Sequence, residues 1–244
     1  MLNKIDKTRL PRHVAVIMDG NGRWAKALGK ARIEGHKQGS DVVDVITETA
    51  REVGLKYLTL YAFSKENWNR PIDEVKALML LLKEFLMSKC QKMLDNGIRL
   101  NAIGDLRQLP EDVRSLLEQT IEATRVGKEM VLTLALSYGS RDEILRAVKQ
   151  LSVDLLEKKF APDHIDESFF TGYLDTHDLP DPDLIIRSSG EIRMSNFLIW
   201  QGAYAELIFV QPSWPEFTRE LFLNCFIEYQ GRERRFGRIS EQLD

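Results

Sequence analysis

The fold is decided by the stretch His-Val-Ala-Val-Ile-Met-Asp-Gly-Asn-Gly-Arg-Trp-Ala, residues 13–25. Its apolar run at residues 14–18 is short and is bounded by Gly20 and Gly22, which predicts a buried strand that ends at a tight turn. A helix is predicted over residues 35–53, because apolar residues recur on one face before Gly54 ends the pattern. A buried strand followed by a helix is the repeating unit of parallel sheets that are covered on both faces.

The same alternation continues along the rest of the chain. Further strands are predicted at residues 57–63, 98–103, 130–137, 183–187 and 205–210. Helices are predicted over residues 71–96, 110–125, 141–158 and 167–174, and a last helix is predicted to start near Pro215 and run into the basic tail. No linker rich in proline or serine interrupts this order. We therefore predict a single α/β domain over residues 1–244, with a central, mostly parallel six-stranded sheet flanked by helices.

Length and composition are those of an average globular chain. The 244 residues include 34 Lys+Arg and 37 Asp+Glu, which gives a net charge of −3, and 43% of the residues are apolar. This apolar content supports a folded core and excludes a mainly disordered chain. The lack of a basic excess argues against a dedicated nucleic-acid-binding protein.

Targeting and metal-binding signals are weak in this sequence. The apolar stretches at residues 78–82 and 131–136 are far shorter than the ~20 residues that span a bilayer. The first residues hold no secretion signal, so a cytoplasmic protein is expected. Cys90 and Cys225 are far apart and are predicted to be buried, reduced thiols, and the four histidines show no metal-ligand spacing.

The first strand ends in a loop with the features of an anion site. Ligands of open α/β sheets bind beyond the carboxyl ends of the strands. Gly20 and Gly22 let the backbone approach an anion, and the string from Gly20 to Ala25 formally matches the dinucleotide fingerprint G-x-G-x-x-A. However, Asp19 would repel a diphosphate unless Mg²⁺ bridged the two, and the second strand lacks the ribose-binding carboxylate of dinucleotide sites. An ordinary glycine turn is the alternative.

Polar side chains continue on the following helix and after the second strand. Arg32 and His36 lie one helical turn apart, so both can donate hydrogen bonds to a phosphate above the first loop. After the second strand, Arg70 can clamp a phosphate, and Ser64 and Asn67 can add hydrogen bonds. A solvated helix surface and a capping loop anchored by one tryptophan are the alternatives.

The fifth strand ends in a third polar loop. Arg187, Arg193 and Ser195 crowd this loop, and like charges gathered in this way favour an anion between them. An ion pair at an interface is the alternative. Glu206 stands alone at the start of the apolar sixth strand, where a metal or a polar partner would relieve the cost of an unpaired charge. Together the loops indicate two phosphorylated groups with Mg²⁺, in a transferase, a phosphatase or a nucleotide-binding protein.

Three long segments resemble the signatures of one family, the cis-prenyltransferases. They lie at residues 13–25 with Gly35 and His36, at residues 61–71, and at residues 183–206, and the tail at residues 232–237 also fits. The resemblance covers nearly the whole chain and is greatest to the bacterial undecaprenyl diphosphate synthases. It implies a homodimer with a parallel-sheet α/β fold and Mg²⁺ as the cofactor.

The resemblance also implies a reaction. Members of the family add isopentenyl diphosphate repeatedly to farnesyl diphosphate and form new cis double bonds. The implied product is a long-chain polyprenyl diphosphate such as undecaprenyl diphosphate, the lipid carrier of cell-wall polysaccharide synthesis. A shorter or longer product is an alternative, and so is a non-catalytic partner subunit. Such subunits typically lose the first-loop aspartate and the asparagine loop, and this chain retains Asp19 and Asn67.

The roles of individual residues are implied by the same resemblance. Asp19 and Asn67 are the implied catalytic residues, and Asp19 and Glu206 are the implied metal residues. Because an amide is a very weak base, Asn67 is expected to orient a diphosphate that accepts the proton itself. The implied substrate-binding residues are Gly20, Asn21, Gly22, Arg23, Trp24, Arg32, His36, Ser64, Lys65, Glu66, Trp68, Arg70, Arg187, Arg193, Met194 and Ser195.

Two diphosphate subsites divide this set. The allylic diphosphate would be held by Gly20, Asn21, Gly22, Arg23, Arg32, His36 and Arg70, and isopentenyl diphosphate by Arg187, Arg193 and Ser195. Ser64, Glu66 and Trp68 would lie between the two substrates. The resemblance further implies that Arg232 reaches into the partner's site, that Glu206 acts within one subunit or across the dimer, and that the tail from residue 215 to residue 244 contributes to the dimer.

The long hydrocarbon product needs an apolar space. The helix at residues 71–96 is apolar on almost all sides around residues 78–87, which by itself predicts a buried helix. The resemblance implies that this helix also walls a hydrophobic tunnel beside the sheet, opposite Val131, Leu132, Leu134 and Leu136. Because the product belongs in a bilayer, transient contact with the inner membrane surface is expected.

Overall fold

Six strands, each parallel to its neighbours, form the sheet within residues 2–234, the part of the chain that this computed structural model describes. The strands are β1 (His13–Ile17), β2 (Tyr57–Ser64), β3 (Ile98–Ile103), β4 (Met130–Tyr138), β5 (Leu184–Arg187) and β6 (Glu206–Phe209). Their order across the sheet is β3-β4-β2-β1-β5-β6, with β2 and β1 as the two middle strands. The predicted six-stranded parallel sheet is therefore confirmed, and every pairing in it is parallel.

Seven α-helices accompany the sheet in the described residues. They are α1 (Asn21–Ala27), α2 (Arg32–Val53), α3 (Ile72–Asp95), α4 (Glu111–Thr124), α5 (Ser140–Leu156), α6 (Glu167–Thr171) and α7 (Arg219–Gln230). Short 3-10 helices lie between them, including Lys65–Asn69 and Trp214–Glu216. None of the helices within residues 2–234 is long and apolar enough to cross a bilayer.

Three segments differ in detail from the predictions. The residues after Gly20 were predicted as a loop, but Gly20 takes a φ of 96° and the short helix α1 begins there. The segment before α3 is a 3-10 helix in which Ser64 and Asn67 form a capping box, as in the capping loop given as the alternative. The last helix begins at Arg219 rather than near Pro215, because the Thr218 side chain accepts a hydrogen bond from Leu221 N and caps a new helix there. The tail at residues 235–244, which was expected to contribute to a dimer, lies outside the described residues.

Both faces of the sheet are buried. Val14 and Val16 of β1 pack into the larger core cluster with side chains of α2, α3, α4 and α7. Ala15 and Ile17 point to the opposite face, where Phe197 is among the residues that complete a smaller cluster. The continuous apolar run of β1 thus has the physical cause expected for a parallel strand, namely burial on both sides.

Helix α3 is only partly buried, in contrast to the prediction from its composition. Val75, Met79 and Leu86 are buried, whereas Leu80 and Met87 are exposed to solvent. The two cysteines are free; Cys225 is buried as predicted, and Cys90 is half-buried.

Candidate active site

The carboxyl ends of three strands lie side by side at one edge of the sheet. Ile17, near the end of β1, is in register with Tyr61 of β2 on one side and with Arg187 of β5 on the other. Asp19 therefore lies next to the segments that follow β2 and β5. This is the edge at which the polar loops were predicted to meet.

Asp19 is the acidic centre of this edge. Its Oδ2 atom lies 2.9 Å from Arg187 Nη2 and 3.2 Å from Arg23 Nη2, and its Oδ1 atom accepts a hydrogen bond of 2.6 Å from Gly20 N. Burial acts to raise the pKa of Asp19, but the hydrogen bonds from Arg187 and Gly20 and the charge of Arg23 outweigh it, so the pKa is lowered. The carboxylate is therefore ionised at neutral pH.

A second group of charges extends from Asp19 along the β5 loop. Glu191 Oε1 lies 2.6 Å from Arg23 Nη1, and Glu191 Oε2 lies 2.5 Å from Arg193 Nη1. Arg187, only 3% exposed, donates to Ser195 Oγ at 2.7 Å and to the carbonyl oxygen of Arg193. Three guanidinium groups thus face the two carboxylates of Asp19 and Glu191, which leaves a net positive charge where an anion was predicted.

A cavity of about 240 Å³ opens beside Asp19. The polar side chains at one end are Asp19, Asn21, Arg23, Arg32, His36, Asn67 and Arg70. The apolar side chains include Leu78, Met79, Leu81, Leu82 and Phe85 of α3, together with Leu134 and Leu136 of β4. Of the four β4 residues predicted to face a tunnel, Val131 and Leu132 do not line this cavity. The cavity joins a cationic mouth to a hydrocarbon-lined interior, a form suited to an amphiphilic ligand.

Glu74 pairs with side chains of the mouth, although it does not itself line the cavity, and the sequence did not single it out as a site residue. Its carboxylate lies 3.2 Å from Arg32 Nε, 3.1 Å from Arg70 Nη1 and 3.8 Å from His36 Nε2. Burial and the nearby charge of Arg70 lower the pKa of His36 to about 4, so its ring is neutral at physiological pH. The spacing of Arg70 and Glu74, four residues apart at a helix start, was the signal available in the sequence.

Several buried polar atoms at this edge have no hydrogen-bond partner among the described residues. They include His36 Nε2, Asn21 Oδ1 and Arg187 Nε. Buried polar groups are almost always hydrogen-bonded in folded proteins. Two of these side chains, His36 and Asn21, line the cavity, so the unsatisfied atoms favour a polar ligand at its mouth.

The residues present fit a magnesium ion held mainly by a substrate. Within residues 2–234 there is no group of three or more His, Cys, Asp or Glu side chains that could hold a metal. Mg²⁺ is commonly bound by one or two carboxylates plus substrate phosphates, and Asp19 supplies one carboxylate at the mouth. Glu206 is paired in register with Leu184, at the opposite end of β5 from Arg187. It bonds Arg232 at 2.8 Å, so one chain does not bring Glu206 and Asp19 together.

Nine of the sixteen predicted substrate-binding residues lie outside the cavity lining, namely Trp24, Ser64, Lys65, Glu66, Trp68, Arg187, Arg193, Met194 and Ser195. Four of them stabilise the 3-10 helix after β2: Ser64 caps it, and Trp68 Nε1 donates to Ser137 Oγ at 2.9 Å. Lys65 is ion-paired with Asp142, and Glu66 accepts a hydrogen bond from a residue of the β5 loop. Their contacts place the Asn67 and Arg70 side chains at the cavity.

That residue of the β5 loop is Asn196, which the sequence did not single out. Its Nδ2 donates to Glu66 Oε1 at 2.9 Å, and its Oδ1 accepts from Arg141 N at 2.9 Å. Its carbonyl oxygen accepts from Ser140 N at 2.8 Å. Its φ is 61°, in the left-handed region, and so are those of Ser195 and Leu198 beside it. Asn196 therefore ties the second and third polar loops to the start of α5.

Comparisons with known proteins find relatives along nearly the whole chain. A family model described as putative undecaprenyl diphosphate synthase matches residues 17–237. The isoprenyl transferase of Chlorobaculum tepidum is 48% identical over 234 residues, covering 96% of this chain and 88% of that protein. The isoprenyl transferase of Geobacter sulfurreducens is 49% identical over 236 residues, covering 97% and 96%.

Two solved structures are similar over most of the chain. A lavandulyl diphosphate synthase from Lavandula x intermedia, in complex with dimethylallyl diphosphate, has a TM-score of 0.92 at 35% identity, covering 94% of this chain and 99% of that one. A probable undecaprenyl diphosphate synthase from Campylobacter jejuni has a TM-score of 0.78 at 36% identity, covering 93% and 99%.

Proposed function

The chain belongs to the undecaprenyl diphosphate synthase family and is a prenyltransferase, and we propose that it condenses isopentenyl diphosphate repeatedly onto farnesyl diphosphate, forming a cis double bond at each step. The observation that carries this proposal is the cavity with a cationic mouth and an apolar interior. A prenyl diphosphate has the same division into an anionic head and a hydrocarbon tail. The dinucleotide alternative has no corresponding use for a hydrocarbon-lined interior.

The allylic diphosphate would bind at the mouth of the cavity. Arg32 and Arg70 supply guanidinium groups that can hold phosphate oxygens in pairs, and neutral His36 supplies a ring nitrogen without a present partner among the described residues. The tail would then lie along Leu82 and Phe85 of α3. Isopentenyl diphosphate would bind on the other side of Asp19, at Arg187, Arg193 and Ser195.

The reaction breaks the bond between the allylic carbon and its diphosphate, joins that carbon to the alkene of isopentenyl diphosphate, and releases one proton. The developing charge is on the departing diphosphate, so the fixed guanidinium groups of the mouth stabilise the transition state directly. Asp19 would hold Mg²⁺ against the diphosphate oxygens, and the bound ion would supply further charge neutralisation. Asn67 orients a diphosphate oxygen to accept the proton, and the apolar interior excludes water from the allylic cation.

A homodimer is part of the proposal. The outward side of α5 carries an apolar set, which we call the α5 stripe: Leu145, Val148, Val153 and Leu156. Leu145 is 59% exposed and Leu156 is 83% exposed, although a helix normally buries such a row. Ile199, also exposed, adjoins the stripe because its amide donates to Ser140 Oγ at 3.1 Å. A second copy of the chain would cover this surface and could bring the Glu206 and Arg232 pair toward the partner's site.

Elongation assays test the proposed function. Purified protein, Mg²⁺, radiolabelled isopentenyl diphosphate and farnesyl diphosphate should give a long-chain product, with undecaprenyl diphosphate expected. The similarity to the lavandulyl diphosphate synthase favours a short-chain enzyme as the second candidate, so dimethylallyl diphosphate is tested in parallel and chain length is read by chromatography. A folded protein that makes no elongated product from either primer would overturn the proposal and would support a non-catalytic subunit.

Release of a long product at the membrane surface belongs to the same proposal.

The Asp19→Asn variant tests the assigned centre of the site. It keeps the size of the side chain but removes the carboxylate that faces Arg187 and Arg23, so elongation should fall by about a hundredfold or more. Asp178→Asn, a change at an exposed aspartate far along the chain, is the control and should leave elongation unchanged. Near-normal turnover by Asp19→Asn would remove Asp19 from the mechanism.

A further inference from the structure

One carboxylate beside the cavity mouth is paired with two guanidinium groups from different segments and lies 3.8 Å from the neutral ring of His36. Arg32 and His36 belong to α2, Arg70 precedes α3, and Glu74 lies in the first turn of α3. Arg32 uses both Nε and Nη2 toward Glu74, at 3.2 Å and 3.3 Å. The bidentate face of this guanidinium is therefore occupied by Glu74.

Glu74 is held there as an anion. Its side chain is only 12% exposed. Burial acts to raise its pKa, but the hydrogen bond from Arg32 and the charges of Arg32 and Arg70 outweigh burial, so the pKa lies below its ordinary value. Two guanidinium groups against one carboxylate leave a net positive charge. A diphosphate carries more negative charge and more acceptor oxygens than a carboxylate, so it competes for the same donors.

Space exists on both sides of the first turns of α3. Leu78 and Met79 line the cavity on the inner side. On the outer side lies a groove of about 520 Å³ between α3 and α4, lined by Val75, Met79 and Leu80. Met79 thus borders both spaces, and the ion pairs of Glu74 connect this end of α3 to α2.

We propose that Glu74 is a displaceable counter-ion: it occupies the Arg32 and Arg70 guanidinium groups until a diphosphate replaces it, and its release frees the first turns of α3 from α2. Binding of the head group then loosens the wall beside the tail, so that the cavity can widen toward the outer groove. This inference rests on the proposed function for the identity of the ligand. Glu74 acts through Arg32, Arg70 and α3, and is a positioning residue.

Affinity for inorganic diphosphate tests the first part. Titration calorimetry in buffer without divalent cations would compare the wild type, Glu74→Gln and Asp73→Asn. Gln keeps the shape of Glu74 but does not compete as an anion, so Glu74→Gln should bind inorganic diphosphate about tenfold more tightly. Asp73 is exposed in the same turn and is the matched control, because its replacement removes the same charge; its affinity should stay within twofold of the wild type. Unchanged or weaker binding by Glu74→Gln would overturn the proposal.

Hydrogen exchange of residues 72–82 tests the second part. Exchange in this segment should become faster in the wild type when inorganic diphosphate binds, and it should already be fast in free Glu74→Gln but not in free Asp73→Asn. Equal exchange in all three free proteins would reject the coupling to α3. If the wild type elongates farnesyl diphosphate while Glu74→Gln shows neither effect, the proposed function stands and this inference fails. A wild type that binds no diphosphate of any kind would overturn both.

Discussion

Asn196 shows how much a single residue can organise in this molecule. Its side-chain amide bonds Glu66 on one side and Arg141 N on the other, and its backbone is held in a left-handed conformation. Asn tolerates this conformation better than most residues, whereas a residue with a plain Cβ is penalised there. Asparagine therefore suits this position both by its tolerance of a positive φ and by its side-chain hydrogen bonds. Through these bonds it links the loop of Arg193 and Ser195 to the loop of Asn67.

We predict that Asn196→Ala raises the KM for isopentenyl diphosphate about tenfold, because the loss of hydrogen bonds to Glu66 and Arg141 releases the β5 loop. Affinity for inorganic diphosphate at Arg32 and Arg70 should not change. Asn196→Gly is the matched variant, because it loses the same amide but adopts the positive φ freely. It should show the same raised KM as Asn196→Ala but a higher melting temperature than that variant. Steady-state elongation kinetics and thermal denaturation measure both, and an unaltered KM in both variants would contradict the linkage.

At the residue scale, the sequence predicted the polar residues that follow a strand. It missed the residues whose contacts are with side chains far away in the chain. Asp19, Arg70 and Arg187 were found because the carboxyl ends of parallel strands meet at one edge. Glu74 and Asn196 were not, because their partners Arg32 and Glu66 lie 42 and 130 residues away in the chain. Glu191 was visible beside Arg193, but which arginines it neutralises depends on the packing of loops. Such pairings need three-dimensional proximity that no local pattern contains.

Strand β1 begins with a buried histidine that joins three segments. His13 Nδ1 lies 2.6 Å from the carbonyl oxygen of Pro180, and Nε2 lies 2.8 Å from Thr59 Oγ1 on β2. Burial lowers the pKa of His13 to about 4. The ring is therefore neutral in the folded protein at a pH where an unfolded histidine is charged.

This gives the stability a defined pH dependence. His13 and His36 both have a pKa of about 4 in the fold, below the ordinary histidine value of about 6.5. Between pH 6.5 and pH 5 the unfolded chain takes up protons that the folded chain does not, so the free energy of unfolding falls as pH falls. Each histidine contributes a loss of about 2 kcal/mol over this window, and the loss continues toward pH 4.

We predict that His13→Gln roughly halves this slope between pH 6.5 and pH 5. Urea denaturation of the wild type and of His13→Gln at a series of pH values measures this slope. At pH 8, where neither histidine is charged, the difference in the free energy of unfolding between the two proteins reports the hydrogen bonds that the variant loses. Carboxylates whose pKa is lowered in the fold contribute little above pH 5, because they remain mostly ionised in the unfolded chain as well. Buried Glu143, whose pKa is raised by burial, acts in the opposite direction in the wild type and in the variant alike. A slope that is identical in the wild type and in His13→Gln would show that His13 is not held neutral in the fold.

At the element scale, the bounds of strand β1 were predicted more accurately than the starts of helices α1 and α7. The β1 prediction differs from the observed strand by one residue at each end, because burial on both faces leaves a continuous apolar run. Helix α1 was missed because its start depends on the positive φ of Gly20, which the sequence presents only as a turn signal. The start of α7 was placed too early because Pro215 signals a helix start, but it begins only the 3-10 helix Trp214–Glu216.

For the whole molecule, the unexplained surface is the α5 stripe. A helix was predicted over residues 141–158, and in the structure its side chains Leu145, Val148 and Leu156 face outward. A stripe of this kind is stable in solution when another surface covers it. The homodimer proposed above would cover this stripe with a second copy of the chain.

We predict that the double variant Leu145→Glu/Leu156→Glu converts a dimer to a monomer in light scattering. A twofold interface contains each leucine twice, and each buried leucine contributes roughly 1.5–3 kcal/mol, so the dimer dissociation constant should rise by about 10⁴-fold or more. The monomer should still fold cooperatively, because both side chains are already exposed within one chain, and its melting temperature should fall only by the stabilisation that association gave. Elongation should fall if Glu206 and Arg232 act across the interface. Val126→Glu introduces the same charge at another exposed apolar site and should change neither assembly nor activity. A wild type that is monomeric while fully active would show that the α5 stripe is covered by something other than a second copy.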